Sequence, residues 1–133
     1  MNVRIATLAA CAAMAAVPAH AQTYPTKPVR IIVPFSAGGG SDFVARLIGN
    51  KLTEALGQQV VIDNRPGASG AIAAELVARA EPDGYTLFSA ASPQLAVVPH
   101  VQKINYDPIK DFAPISIVGT NPFALGCNAR VPS

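Results

Sequence analysis

At 133 residues and a net charge of +2, the chain has room for one domain and lacks the basic excess that nucleic-acid binding demands. Half of its residues are hydrophobic and 14% are charged, with no polybasic run to mark a membrane-surface segment. It has two cysteines, and only Cys127 lies outside the leader described next, so no internal disulfide is expected.

The first segment reads as a leader. Met1 to Arg4 gives a short positive start, and Ile5 to Val17 an alanine-rich apolar run too short to span a bilayer. Ala19-His20-Ala21 fits a small-x-small cleavage site, so residues 1–21 are predicted to be a secretory signal peptide cut after Ala21. Leu8-Ala9-Ala10-Cys11 also resembles a lipoprotein box, but a cut there would strand the apolar run Ala12 to Val17 on the mature end. Removing Arg4 with the leader takes ten Lys/Arg to nine, against eight Asp/Glu, so the mature chain is nearly neutral.

Residues 22–133 then alternate strand and helix. Tyr24 to Pro28 is an extended lead-in, since each proline lacks a donor and restricts the residue before it. Val29 to Val33 is almost wholly β-branched and predicts a buried strand. Phe35-Ser36-Ala37-Gly38-Gly39-Gly40-Ser41-Asp42 forms a glycine-rich turn, and Ser41 is the expected N-cap of the helix after it. In that helix Phe43, Val44, Leu47, Ile48, Leu52 and Leu56 recur at helical spacing, and Gly57 ends it. Gln59 to Asp63 is a second strand, Gly67-Ala68-Ser69-Gly70 a second glycine turn, and Gly70 to Ala80 a second helix.

Glu81-Pro82-Asp83-Gly84 is a turn and Tyr85 to Ser89 a third strand. Beyond it, Ser89 to Ser92 is a loop, Gln94 to Val101 a short helix, and Tyr106 to Phe112 one helical turn capped by Asp107. Pro114 to Val118 and Pro122 to Cys127 are two further predicted strands, with Cys127 a small buried residue. The alternation predicts an α/β fold built on an open, mostly parallel sheet with right-handed crossovers.

Two strand–glycine-turn–helix units in succession aim two helix N-termini at one sheet edge, where free amides and the helix dipole favour an anion. Three consecutive glycines have little use except close backbone approach or unusual dihedrals. Asp42 at the helix start either complements the dipole or orders the loop and takes a hydrogen bond from the ligand side; a bare anion touching it would be repelled. Arg65 either reaches the anion or braces the second loop from outside.

Other chemistries fit poorly. A dinucleotide fingerprint would need a third glycine where Phe43 stands, although Asp63 lies at about the right distance. No Gly-Lys-Ser/Thr makes a P-loop. Gly67-Ala68-Ser69-Gly70 approaches a nucleophile elbow with its closing glycine one place early, and His100 has no evident link to Ser69. No His/Cys/carboxylate cluster has ligand spacing, so neither a metal, a cofactor nor an enzyme is expected.

A series of separated motifs carries a family resemblance. Pro25-x-Lys27-Pro28-Val29-Arg30, Pro34-Phe35-x-x-Gly38-Gly39-Gly40-Ser41-Asp42, Ala45-Arg46 and Leu56-Gly57-Gln58 stand in order. Asn64-Arg65-Pro66-Gly67-Ala68, Pro82-Asp83-Gly84-Tyr85-Thr86-Leu87 and Tyr106-Asp107-Pro108-x-Lys110-Asp111-Phe112 follow. They resemble the periplasmic solute-binding receptors of tripartite tricarboxylate transporters, the Bug-type receptors, from Tyr24 to Ser133.

That resemblance implies a two-lobed, type II periplasmic-binding-protein fold that closes on a small carboxylate and delivers it to membrane permease subunits. It implies a monomer in the periplasm. It places the ligand-binding positions at Phe35, Ser36, Ala37, Gly38, Gly39, Gly40, Ser41 and Asp42, with Gly67, Ala68, Ser69, Gly70, Ser89 and Ser92 bordering the same cleft. Ser36-Ala37 stand where the family usually has prolines, and Cys127 where it usually has an aliphatic residue. Residues 22–133 are accordingly expected to be the N-terminal part of the fold, an incomplete first lobe reaching the crossover to the second. Alone, such a piece should bind weakly and leave strand edges and apolar helix faces uncovered. The alternatives are an α/β enzyme domain whose glycine loops hold a phosphorylated cofactor, or a fragment with no function of its own.

Overall fold

The computed structural model describes residues 24–120. The predicted leader and the predicted strand Pro122 to Cys127 lie outside them. Three parallel strands, β1 (Val29–Val33), β2 (Val60–Asn64) and β3 (Thr86–Phe88), make a sheet in the order β2-β1-β3. β1 is central, pairing Val29 with Val60 through Val33 with Asn64 on one side and Arg30 with Thr86 through Ile32 with Phe88 on the other. A central strand of a parallel sheet is covered on both faces, which explains its unbroken apolar run. Val29, Ile32 and Val33 are completely or almost completely buried.

Helix α1 (Gly40–Leu56) joins β1 to β2, and α2 (Ala71–Ala78) joins β2 to β3 by passing over β1. The chain thus moves outward from β1 and then back across it. Right-handed crossovers in opposite directions put the two helices on opposite faces. The packing agrees: Ile31, Val33 and Ala45 cluster with Leu52, Ile62 and Leu87 on one face. Ala71, Ala74, Val98 and Tyr106 cluster with Phe88, Ile104 and Phe112 on the other. Leu87 and Phe88, adjacent in sequence, point to opposite sides as strand geometry requires.

Several expectations need correction. Ser41 does not cap α1; the N-cap is Gly39, whose carbonyl accepts the first helical bond from Phe43 N–H, so the helix begins earlier and Ser41 falls inside its first turn. The sheet-facing stripe of α1 is Asp42, Ala45, Gly49 and Leu52, while Phe43 and Leu47 face outward at 69% and 54% exposure. Small residues win that face because the helix lies close: a Cβ on Gly49 would come within 3.0 Å of Ile62 Cδ1. Gly57 ends the helix as expected, with left-handed φ and its N–H bonded to Thr53 O.

The second helix is shorter than expected and follows a 3-10 turn, Ala68–Gly70. The expected helix from Gln94 is a π turn over Pro93–Val97 running into α3 (Val98–Val101). Asp107 does cap the turn after it, accepting from the N–H groups of Ile109 and Lys110 at 2.9 and 3.1 Å. Pro114 to Val118 pairs with nothing among the described residues and forms no strand; Ile115 and Ile117 stand 81% and 84% exposed. A strand needs a neighbour, and an apolar pattern alone does not supply one.

The lead-in is strapped to the turn before β3. Lys27 Nζ reaches Asp83 at 3.0 Å and lies 4.3 Å from the Tyr85 ring centroid, while Tyr24 Oη donates to Gly84 O at 2.7 Å.

Candidate functional site

All three strands run the same way, so the segments leaving their carboxyl ends share one edge. The register puts Val33 beside Asn64 and Ile32 beside Phe88, which starts the three loops side by side. Two backbone bonds extend that alignment into the loops, Arg65 N–H to Val33 O at 2.8 Å and Ser89 N–H to Ile32 O at 2.9 Å. The segment after β1 leads to α1 on one face of the sheet and the segment after β3 to Val98 on the other, so the boundary between these neighbouring strands is a topological switch point, where open α/β sheets hold ligands.

The first loop, residues 34–39, is held by a polar knot beneath it. Asp42 is 3% exposed, yet its carboxylate is fully engaged: Oδ2 accepts from Gly38 N–H and Arg46 Nε, each at 2.9 Å, and Oδ1 from Asn64 Nδ2 at 3.0 Å. The same Asn64 amide donates to Phe35 O at 3.0 Å. Hydrogen bonds from Arg46, from Gly38 N–H and from Asn64 hold the Asp42 carboxyl well below the usual carboxylate range. Its partner Arg46 is pushed up by the same bond.

Asp42 therefore orders the loop from below, and its negative charge is matched before any ligand arrives. Above the knot, Ser36, Ala37, Gly38, Gly39 and Gly40 are exposed and Ser41 is half-buried. The N–H groups of Gly40 and Ser41 find no acceptor among the described residues, as first-turn amides of a helix do not. They are the donors available to an anion here.

The second loop is built from backbone strain. Gly67, Ala68, Ser69 and Gly70 all have positive φ, at 129°, 46°, 55° and 90°. A left-handed conformation at Ala68 and Ser69 persists only where the surroundings enforce it. Gly70 N–H bonds to Gly67 O at 2.8 Å, and Gly67 to Ser69 stand exposed while Gly70 is buried. Arg65 braces the strand end from outside, with Nε 3.0 Å from Asp63 Oδ1. Burial works against ionisation of Asp63, but hydrogen bonds from Arg30 and Arg65 outweigh it and lower its pKa.

The third loop, Ser89 to Ser92, leaves the sheet beside the second, with Ser89 half-buried and Ser92 exposed. Gln94, which the sequence placed only as a helix start, sits 1% exposed between the two. Its Nε2 donates to Ser69 O at 2.8 Å and its Oε1 accepts from Ala91 N–H at 3.0 Å. Asn64 and Gln94 are thus the supporting residues that sequence reasoning missed; neither stands beside its partners in the chain.

The expected positions therefore gather at one edge, with Asp42 and Gly70 turned inward as supports. Among the described residues no group of His, Cys, Asp and Glu could hold a metal ion.

Comparison with known proteins agrees with this architecture. Residues 44–133 match the family described as the tripartite tricarboxylate transporter family receptor. A UPF0065 protein of Bordetella bronchiseptica is 46% identical over 113 residues, covering 84% of this chain and 34% of its own length. The protein BugT of Bordetella pertussis is 42% identical over 118 residues, covering 87% of this chain and 36% of its own length. The chain belongs to this receptor family. MatC of Rhodopseudomonas palustris, solved with bound malate, superposes with a TM-score of 0.62 at 39% identity, over 71% of this chain and 33% of MatC. The fold is that of part of a periplasmic binding protein, and the chain spans about a third of the length of these relatives.

Proposed function

We propose that the chain contributes the first-lobe wall of a receptor that captures a small carboxylate in the periplasm and hands it to membrane permease subunits of a tripartite transporter. The receptor acts as a monomer, exported by the leader that ends at Ala21, and performs no catalysis. One observation carries the reading: the carboxyl-end loops of a three-stranded parallel sheet converge at its switch point, with the Gly40 and Ser41 amides free to donate. The Asp42 charge is internally matched by Arg46, so it does not oppose an anion above it.

Family membership supports the same reading, and MatC holds malate. Ser36 places a hydroxyl on the exposed side of the first loop, within the set of groups that face a ligand there. The ligand positions are Phe35 to Asp42, Gly67 to Gly70, Ser89 and Ser92, with Asp42 and Gly70 acting from beneath.

The test is calorimetric titration of the protein expressed from its complete reading frame. The panel is malate, citrate, adipate, acetate, an amino acid, a sugar, ATP and a nicotinamide dinucleotide. A di- or tricarboxylate is expected to bind most tightly. Tighter binding of ATP or the dinucleotide would instead make the glycine loops a phosphate cradle and overturn the proposal.

A further inference from the structure

The second and third loops belong to different strand–loop units, yet one buried side chain joins them. Gln94 lies on the π turn after β3, and its amide spans Ser69 O on one side and Ala91 N–H on the other. The orientation of the amide is fixed by these partners: turned over, it would set donor against donor and acceptor against acceptor. Gly70 lies flat against it, and a Cβ there would come within 2.4 Å of Gln94 Nε2 and 2.7 Å of its Cγ. The backbone of Gln94 is anchored in turn, its N–H bonded to Ala91 O at 3.2 Å and its carbonyl accepting from Tyr106 Oη at 2.6 Å. Tyr106 is 7% exposed within the α2-side core and packs edge-on against Phe112, ring centroids 5.8 Å apart.

From this bridge we infer that Gln94 is a positioning residue for ligand binding. It locks the left-handed run Gly67 to Gly70 to the Ser89–Ser92 loop, so that the two move as one wall of the cleft. The strain at Ala68 and Ser69 gives the lock a purpose. Without the Gln94 donor, the partly buried Ser69 O loses the partner that holds it, and the loop relaxes toward negative φ. Tyr106 ties that wall to the core, so its placement does not depend on the first loop or on the Asp42 knot. The effect on affinity rests on the proposed carboxylate site, whereas the coupling of the loops does not.

Native-state hydrogen exchange on the wild-type protein expressed from its complete reading frame tests the coupling directly. The Gly70 and Ala91 amides, each hydrogen-bonded at one side of the bridge, are expected to open together with one protection factor. Independent opening would overturn the inference. Gln94→Met, close in volume but unable to pair, should then lower the protection of both toward that of exposed loops and shift the Ser69 and Gly70 amide resonances. The resonances of Gly38 to Gly40 should stay in place.

The same variant should weaken binding of the best dicarboxylate roughly tenfold while folded, the equivalent of one hydrogen bond lost at a partly buried carbonyl. Gly57→Ala strains the left-handed end of α1, at the opposite end of that helix from the loops; it should lower Tm and leave affinity unchanged. Gln94→Met binding as tightly as wild type, or Gly57→Ala losing affinity in proportion to stability, would reduce Gln94 to a structural residue. If no carboxylate binds the wild type, the proposed function fails, and the exchange data still decide the coupling.

Discussion

The first and second loops meet at one sheet edge but are held by opposite means. The first is flexible glycine backbone fixed by charge: a buried carboxylate, a guanidinium and an asparagine amide under residues 35–38. The second is strained backbone fixed by a neutral amide from a distant turn. A charged knot suits the loop with the free helix-start amides, because it fixes those donors while cancelling the one negative charge beneath them. A neutral bridge suits the loop that only has to keep a shape. The difference predicts that the two respond to different perturbations.

The largest effect is expected at the neutral bridge. Gly70→Val places branched carbons where the Gln94 amide already lies and asks a β-branched residue to adopt φ +90°. Overpacking and left-handed strain together should cost about 3 kcal/mol, read as a lower urea midpoint with an unchanged m-value. A loss under ~1 kcal/mol would mean that Gln94 swings aside at little cost, inside the usual range of conservative core changes.

At the charged knot, Asp42→Asn keeps the shape and removes the charge. The carboxamide can accept from one donor but turns its own N–H₂ toward Gly38 N–H and Arg46 or toward Asn64. We expect a fall in Tm on the order of 5 °C, with faster exchange confined to the first loop. Equal loosening of Gly67 to Gly70 would break the comparison, since the two locks would then be one network.

Acid sharpens the contrast further. The folded-state pKa of Asp42 is depressed, so the unfolded chain takes up the proton first. The stabilisation is complete above the ordinary carboxylate value of 3.8 and is lost as pH falls below it. Asp63, Asp83 and Asp107 are lowered as well and add to the same acid loss. As pH falls from neutral to below that ordinary value, the first loop should lose protection, corrected for intrinsic exchange, before the second does. In Asp42→Asn that early loss should vanish. Persistence of the loss in the variant would assign it to Asp63 or the other carboxylates instead.

The sequence carried the frame of the site more clearly than its supports. A β-branched run marked β1 because a central strand covered on both faces demands one, and Gly57 marked a helix end made by a left-handed residue. Arg46 was within reach of a local reading, four residues from Asp42 on the same helix. Gln94 was not: it lies 25 residues from Ser69, and nothing in a linear pattern tells which turn folds back beside which. The sheet-facing side of α1 is hard to read from the chain for a related reason. Hydropathy counts bulk, whereas the face closest to the sheet is chosen for smallness, which turned Phe43 and Leu47 outward and Ala45 and Gly49 inward.

Arg65 should matter least, and that is informative in itself. It is the cation nearest the second glycine turn in sequence, and so the natural candidate for a direct anion contact. Its guanidinium instead lies 3.0 Å from Asp63 Oδ1, with the Arg65 side chain 48% exposed and Arg30 also paired to the same carboxylate. An exposed pair that shares its acceptor contributes at most ~0.5 kcal/mol, since solvent and salt screen it and Arg30 keeps Asp63 neutralised when Arg65 is gone. Arg65→Ala is therefore expected to change carboxylate affinity less than about twofold, and to do so equally at low and high salt. A large loss that shrinks with added salt would move Arg65 from brace to ligand contact. The anion would then be drawn toward the second loop, and the Gly40 and Ser41 amides would no longer be its principal donors.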